Sequence, residues 1–115
     1  MHELSLAESM IEQLNDALDR ESATVSRILK IDLEIGAMSG VDRDAFEFVF
    51  PFAAEGTRAE GATLTFSEIE LQVRCRDCGK RSSPEYPFVS CVACGSNSTD
   101  ILQGKDFRIL QMEVS

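Results

Sequence analysis

The 115-residue sequence has no long hydrophobic run and only one histidine, His2. No apolar stretch approaches the roughly 20 residues that a membrane helix requires, so the sequence predicts a soluble protein with no membrane partner. Because His2 stands at the N-terminus, the interior has no histidine to act as a general base, and no pair of carboxylates is singled out by its spacing. The sequence therefore argues against an enzyme.

Basic residues are also scarce, with 11 lysines and arginines against 20 aspartates and glutamates and a formal net charge of -9. Nucleic-acid-binding proteins displace counterions with clustered basic side chains, which this composition does not supply overall. A local basic patch does surround the first pair of cysteines: Arg74, Arg76, Lys80 and Arg81. It is either a solvated rim that offsets thiolate charge or the surface of a zinc-ribbon adaptor that binds nucleic acid or a protein partner. We favour the rim and expect no nucleic-acid partner.

The four cysteines form one regular pattern, Cys75-x2-Cys78 and Cys91-x2-Cys94, with twelve residues between the pairs and a glycine after each pair. A Cys-x-x-Cys turn presents two thiolates on one tight knuckle, and the glycine relieves the left-handed backbone that such a turn needs. Two facing knuckles complete a tetrahedron of sulfur around Zn²⁺. A closed centre of this kind has no open coordination position, so we expect a structural role.

Three other uses of these cysteines compete with zinc. Two disulfides need an oxidising compartment, whereas the polar, charged first residues show no signal peptide and predict a cytoplasmic protein. A rubredoxin-like iron centre, which would make the protein an electron carrier, uses the same four sulfurs. A thioredoxin-like redox pair needs one Cys-x-x-Cys at a helix N-terminus, and both pairs are predicted in loops. Structural zinc is the favoured interpretation.

The N-terminal half predicts two helices around one strand. Residues 4 to 20 repeat apolar side chains with a period near 3.6, which is typical of an amphipathic helix. From Arg27 to Gly36 the period becomes two, which predicts a half-buried strand with Leu29, Ile31, Leu33 and Ile35 on its buried face. Asp42 is expected to cap a second helix, which Pro51 kinks or shortens.

The second helix carries an unusual group of four phenylalanines, at positions 46, 48, 50 and 52. They are compatible with a ligand pocket. A packed core between helix and sheet is the favoured interpretation, because a chain this small has few other large side chains to fill its interior. The apolar face of this helix is predicted to be Phe46, Val49, Phe50 and Ala53.

The C-terminal half predicts a strand that changes its buried face, from Leu64 and Phe66 to Ile69, Leu71 and Val73. Such a change of register flips every side chain, so the chain is expected to leave the main domain near residues 67 to 70. Between the cysteine pairs, Tyr86, Phe88 and Val89 are expected to pack over the metal site. Residues 95 to 104 are interpreted as a mobile return loop, and residues 107 to 114 as a final strand.

These elements predict an α/β fold in which two helices pack on a small mixed three-stranded sheet. A zinc-ribbon-like subdomain that carries the four cysteines is inserted between two strands of that sheet. Residues 1–69 and 105–115 are predicted to form the main domain, and residues 70–104 the zinc subdomain.

His2 by itself suggests only a solvated side chain at a mobile terminus. The Met1 amine, the His2 amide and the His2 imidazole Nδ1, however, close consecutive five- and six-membered chelate rings with three nitrogens in one plane. Ni²⁺ and Cu²⁺ favour a square of nitrogen donors and can displace an amide proton, whereas zinc prefers a tetrahedron. Glu3 stands next in sequence to supply a fourth ligand or to orient one. We therefore predict a second metal site at the N-terminus.

Taken together, these motifs resemble the HypA/HybF family of hydrogenase nickel-incorporation proteins over nearly the whole chain. The resemblance rests on Met-His-Glu at residues 1–3, Lys-Ile-Asp-Leu-Glu-Ile-Gly at 30–36 before Ser-Gly-Val at 39–41, Ala-Glu-Gly-Ala at 59–62, and the paired cysteine knuckles. It implies a nickel metallochaperone for [NiFe]-hydrogenase maturation, and some members of the family also serve urease.

The resemblance also implies the site residues and the partners. Nickel is expected at His2 with Glu3 and the Met1 amine in supporting roles, and zinc at Cys75, Cys78, Cys91 and Cys94. The implied partners are the nickel-binding GTPase of the same pathway and the hydrogenase large-subunit precursor, and the chain is expected to be a monomer or a weak homodimer. Some relatives recruit a further histidine of the zinc subdomain to nickel; this chain has none there, which leaves Glu3, water or a partner group as the fourth ligand.

Overall fold

The structure is a computed structural model, and it describes residues 3–21, 24–85 and 87–115. Its elements are two helices and six strands: α1 (Glu3–Arg20), β1 (Ile28–Gly36), α2 (Arg43–Ala54), β2 (Thr63–Ile69), β3 (Gln72–Cys75), β4 (Arg81–Ser82), β5 (Thr99–Gln103) and β6 (Phe107–Val114). The strands form two three-stranded sheets, with the orders β2-β1-β6 and β4-β3-β5. The predicted α/β class is confirmed. Among the described residues, no helix has the length and apolarity to cross a bilayer.

The chain divides into two compact units. The first contains the described residues up to Leu33 together with Val41–Thr65 and Ile109–Ser115, so both helices belong to it. The second contains Glu34–Gly40 and Phe66–Arg108, which includes all four cysteines. Strands β1, β2 and β6 each contribute residues to both units.

The sheet β2-β1-β6 is mixed, as its backbone bonds show. Ser26 N–H donates to the Ser115 carbonyl at 3.0 Å and Gly36 N–H to the Asp106 carbonyl at 2.8 Å, so β1 and β6 run in opposite directions. Ala37 N–H donates to the Ile69 carbonyl at 2.9 Å, and the Asp32 side chain accepts from the Thr65 hydroxyl. From the first pair, Asp32 and Thr65, to the second, Ala37 and Ile69, the residue number rises along both strands. Strands β1 and β2 are therefore parallel, with α2 in the connection between them.

Helix α1 is amphipathic as predicted, with Ala7, Met10, Ile11, Leu14 and Leu18 buried on one stripe. It packs against α2 within the first unit. Arg58 ties its last turns to the loop that follows α2, since its guanidinium donates to the Asn15 carbonyl at 3.3 Å and to Asp19 Oδ1 at 2.7 Å. The start of α1, with Glu3, lies beside the N-terminus of α2.

The predicted buried face of β1 is right from Ile31 onward and wrong at its start. Ile31, Leu33 and Ile35 are buried in alternation, but Leu29 is 43% exposed and Ile28 is fully buried instead. The two buried residues Ile28 and Ile31 are three apart, so the alternation breaks between them. A shift of one residue exchanges the two faces of a strand, which is why Leu29 points outward.

Helix α2 begins as predicted at Asp42, whose carboxylate accepts a hydrogen bond from Ala45 N–H at 3.0 Å. Pro51 lies inside the helix, which continues to Ala54. Its buried residues are Phe46, Phe50 and Ala54, so Ala54 rather than Ala53 completes the buried stripe.

The prediction that all four phenylalanines fill the core is wrong for two of them. Phe48 is 73% exposed and Phe52 is 64% exposed. In a helix, residues four apart lie on one face, while residues two apart lie on nearly opposite faces. Phe46 and Phe50 therefore share the buried face, with ring centroids 6.1 Å apart, and Phe48 and Phe52 share the outer face at 5.8 Å.

The second unit is built around β3, which pairs antiparallel with both β4 and β5. Leu71, Val73 and Cys75 are buried at every second position, in phase with the half-buried Ile69. Leu64 and Phe66 are half-buried in the other phase, which is the pattern predicted for a change of face between Phe66 and Ile69. The interpretation of residues 95–104 as a loop is wrong, because β5 occupies Thr99–Gln103. Only two of its residues are even partly buried, so its apolar pattern is weak, and its pairing with β3 is what makes it a strand.

Gly104 follows β5 at a crowded point where only glycine fits. Its φ is +94°, and a Cβ there would lie 2.6 Å from the Glu70 carbonyl oxygen. We expect Gly104→Ala to destabilise the protein by about 3 kcal/mol, the sum of left-handed backbone strain and overpacking. Urea denaturation followed by circular dichroism measures this change.

Gly56→Ala is the matched control, since Gly56 has a φ of +76° and nothing within 4 Å of an added Cβ. It carries the backbone strain alone, about 1–2 kcal/mol. Equal destabilisation by the two substitutions would show that the close approach at Gly104 is unimportant.

Candidate metal centre

The two Cys-x-x-Cys knuckles have the same local backbone. In each, the glycine N–H donates to the carbonyl of the first cysteine, Gly79 to Cys75 at 3.0 Å and Gly95 to Cys91 at 2.8 Å. The two glycines have φ values of +76° and +79°, the left-handed conformation predicted from the sequence. The first knuckle follows directly from β3, and the second lies before β5.

The knuckles bring the four sulfurs together into one cluster. The Sγ atoms of Cys75 and Cys94 are 3.6 Å apart, those of Cys78 and Cys91 are 3.7 Å apart, and all four lie within 4.8 Å of one another. A tetrahedral ion with metal–sulfur bonds of about 2.3 Å requires sulfur–sulfur edges of about 3.8 Å. All four cysteines are free, with sulfur–sulfur distances well above the roughly 2.0 Å of a disulfide bond, and their arrangement fits zinc binding.

Backbone amides point at the first sulfur of each knuckle. At Cys75, hydrogen bonds from the amides of Cys78 and Asp77, at 3.4 and 3.3 Å, lower the pKa of the thiol. At Cys91, the equivalent amide of Cys94, followed by that of Ala93, lowers the pKa to about 6. Cys75 and Cys91 are also the two buried cysteines. The backbone amides of the knuckles therefore stabilise the thiolate form where water cannot solvate it.

Cys94 shows the opposite shift. The Ser96 amide lowers its pKa, but the hydrogen bond that it shares with Cys75, partial desolvation of the thiol and the neighbouring sulfurs of Cys91 and Cys78 outweigh this and raise the pKa to about 12. Four thiols at these distances cannot all ionise unless a cation balances the charge. The donor set therefore fits a soft, divalent, tetrahedral ion such as zinc.

The basic patch beside the first knuckle is partly neutralised. Arg76 Nε donates to Asp100 Oδ1 at 2.9 Å, and this bond lowers the pKa of the Asp100 carboxyl, with a smaller contribution from the charge of Arg74. Two of the four basic side chains thus act on a carboxylate of β5. This arrangement supports the interpretation of the patch as a rim of the metal centre.

The aromatic cover predicted over the cysteines is wrong at Phe88, which is 69% exposed. Val89 is half-buried, and Tyr86 lies outside the described residues. Cys78 and Cys94 stay exposed. Hydrogen bonds between loops hold the surroundings of the cluster together, among them Val92 N–H to Ser82 Oγ at 3.2 Å.

Of the predicted N-terminal site, Met1 and His2 lie outside the described residues, and Glu3 is the first residue of α1. Glu3 Oε2 accepts a hydrogen bond from Asp42 N–H at 3.2 Å. The fold thus brings together two residues 39 positions apart, at the adjoining N-termini of α1 and α2. The sequence predicted Asp42 only as a helix cap, and no local pattern links it to Glu3.

The fold and the cysteine cluster together define a small α/β protein with a four-cysteine unit that can hold a metal ion. The family model described as "Hydrogenase/urease nickel incorporation, metallochaperone, hypA" matches residues 1–114. The chain belongs to this family, which confirms the resemblance drawn from its motifs.

Similar proteins agree with this assignment over almost their full length. The hydrogenase maturation factor HypA of Rippkaea orientalis is 37% identical over 114 residues, which cover 99% of this chain and 96% of the relative. That of Roseiflexus sp. is 38% identical over 114 residues, covering 98% and 91%.

Two solved structures share the fold. The solution structure of the Ni metallochaperone HypA from Helicobacter pylori has a TM-score of 0.68 at 24% identity, covering 99% of this chain and 97% of that one. A second, described as the solution structure of HypA protein, has a TM-score of 0.70 at 25% identity, covering 100% and 97%.

Proposed function

We propose that this chain is a nickel metallochaperone that binds Ni²⁺ at its N-terminus and delivers it to the [NiFe]-hydrogenase large-subunit precursor. The observation that carries the proposal is the match of residues 1–114 to a family described by nickel incorporation into hydrogenase and urease. Relatives at 37% and 38% identity named hydrogenase maturation factors support the hydrogenase assignment. The family description includes urease, which is a second candidate recipient.

The nickel ligands in this proposal are the Met1 amine, the His2 amide and the His2 imidazole, with Glu3 in support. Glu3 is suited to that role, because the Asp42 amide fixes its carboxylate through Oε2. A carboxylate has two oxygens, so Oε1 can face the ion while Oε2 is held. Asp42 then orients a ligand from outside the coordination sphere.

In the same proposal Cys75, Cys78, Cys91 and Cys94 hold zinc, which supplies four bonds that cross-link two loops and β3. The four thiolates fill the coordination sphere, so this centre leaves no position for cargo. We assign residues 1–69 and 105–115 to the nickel-binding domain and residues 70–104 to the zinc subdomain.

Delivery requires ligand exchange and no chemical transformation, so we propose a carrier rather than an enzyme. The positive end of the α1 dipole disfavours a dication beside it, while Glu3 offsets part of that repulsion. This balance suits a site that must release its metal. The proposed partners are the nickel-binding maturation GTPase and the hydrogenase large-subunit precursor. We propose that the chain acts in the cytoplasm as a monomer or weak homodimer.

Acetylation of the Met1 amine tests the N-terminal site directly. The unmodified chain is expected to bind one Ni²⁺ with a square-planar absorption spectrum. Acetylation removes one nitrogen donor and breaks the first chelate ring, so nickel affinity should fall by more than about 100-fold. This loss is larger than the one expected when a residue that only supports a metal ligand is changed. Isothermal titration calorimetry, with Ni²⁺ added to zinc-loaded protein, measures the nickel affinity.

Zinc content should stay the same in the acetylated protein, which controls for damage to the fold. Glu3→Gln serves as the graded comparison and should weaken nickel binding less than acetylation does. Nickel binding by the acetylated protein with unchanged affinity and spectrum would contradict the proposed site.

A further inference from the structure

The outer face of α2 carries a continuous apolar surface that the core does not use. Phe48 and Phe52 are 73% and 64% exposed, their ring centroids lie 5.8 Å apart, and Pro51 is exposed beside them. We call Phe48, Pro51 and Phe52 the aromatic stripe. Single exposed apolar residues are common on protein surfaces, but two aromatic rings in contact on one helix turn form a patch.

Leaving these two rings in water forgoes the favourable free energy that burying them would provide. The packing of α2 does not need them, because Phe46 and Phe50 already fill its inner face. Exposed aromatic side chains in contact with each other are the kind of residue that anchors protein interfaces. The stripe is therefore suited to being covered by another molecule.

Acidic side chains stand at both ends of the stripe. Asp44 lies one turn before Phe48 and Glu55 one turn after Phe52, and both are exposed. Helical spacing places both on the same side of α2 as the two rings. Within residues 3–21, 24–85 and 87–115, the ion pairs of this structure involve neither Asp44 nor Glu55.

This charge pattern decides between the candidate occupants. A second copy of the chain, packed stripe to stripe about a two-fold axis, would bring the acidic ends against each other in a protein with a net charge of -9. A partner with lysine or arginine around an apolar recess would instead complement both the rings and their acidic ends. The stripe favours such a partner over self-association.

The stripe also lies close to the proposed nickel site. The N-terminus of α2 is where the Asp42 amide holds the Glu3 carboxylate. With a rise of about 1.5 Å per residue, Phe48 is roughly 9 Å and Phe52 roughly 15 Å along the helix from Asp42. A protein seated on the stripe thus places its own ligands beside the N-terminal metal.

We infer that the aromatic stripe is the docking surface for the protein that receives nickel from this chain, the hydrogenase large-subunit precursor, and that this partner presents an apolar recess bordered by basic side chains. The inference rests on the proposed function for the identity of the cargo. The surface itself is argued from the exposure, contact and charge of α2.

The test is the affinity of the double variant Phe48→Ala/Phe52→Ala for one purified probe, the large-subunit precursor. We expect its binding to weaken by about 30-fold or more, as for loss of an aromatic hot spot. Phe88→Ala is the matched control, because Phe88 is equally exposed but belongs to the other unit, and it should stay within about twofold of wild type. Asp44→Asn/Glu55→Gln should weaken binding and reduce its dependence on salt.

Several results would overturn the inference. They are unchanged affinity of the double variant for the precursor, absence of binding of wild type to the precursor, or loss of a wild-type homodimer in the double variant, which would make the stripe a self-association surface. Nickel titration of the same proteins tests the proposed function independently of docking, since the double variant should bind nickel with the same affinity as wild type. A wild type that docks through the stripe but binds no nickel would refute the function and leave the surface standing.

Discussion

Cys91→Ser is expected to abolish zinc binding and to unfold residues 70–104 while α1 and α2 remain folded. The described part of residues 70–104 has few buried hydrophobic side chains, namely Leu71, Val73, Cys75 and Cys91, and β4 has only two residues. A core of this size does not support a fold by itself. Binding of a structural zinc ion contributes about 10–16 kcal/mol in small zinc-dependent domains, far more than the stability of a typical domain.

Metal analysis combined with hydrogen exchange measures both parts of this expectation. Amides of β3 and β5 should lose their protection in Cys91→Ser, whereas amides of α1 should keep theirs. Val92→Ala is the matched control, because Val92 lies exposed in the same knuckle and is not a ligand. Protected β3 amides in a metal-free Cys91→Ser protein would show that the metal is dispensable for the fold. A visible iron–thiolate absorption in protein made without added metals would show that the four cysteines bind iron in a rubredoxin-like centre rather than zinc.

The features that sequence predicted well are those fixed by local chemistry. The cysteine spacing predicted the cluster, since two knuckles with left-handed glycines can close on one ion whatever surrounds them. The period of 3.6 predicted the buried stripe of α1, and Asp42 predicted the start of α2 because capping depends on the next three residues. Each of these signals is contained within one continuous segment, the longest being the 20 residues from Cys75 to Cys94.

The failures concern features that depend on distant residues or on helical phase. Phe48 and Phe52 were predicted in the core from their residue type alone, although helical spacing separates them from Phe46 and Phe50. Strand β5 is a strand because β3 pairs with it, which its own composition does not reveal. The contact between Glu3 and Asp42 joins two helix ends that only the fold brings together.

His2→Gln is expected to remove nickel binding almost entirely and to leave zinc bound. Glutamine keeps the backbone amide and is large enough to protect Met1 from methionine aminopeptidase, so only the imidazole donor is lost. Without the imidazole the second chelate ring does not form, and the remaining donors no longer provide three coplanar nitrogens. We expect nickel affinity to fall by more than about 100-fold, since a direct ligand counts for more than an outer-shell group.

The central claim is that the transferable nickel and the structural zinc occupy separate sites on this chain. Metal content by mass spectrometry, with an optical spectrum of the same samples, tests it most directly on wild type and His2→Gln. The account predicts one nickel with a square-planar spectrum and one zinc per wild-type chain, and zinc alone in the variant. Nickel retained by His2→Gln at wild-type stoichiometry and with the same spectrum would contradict it.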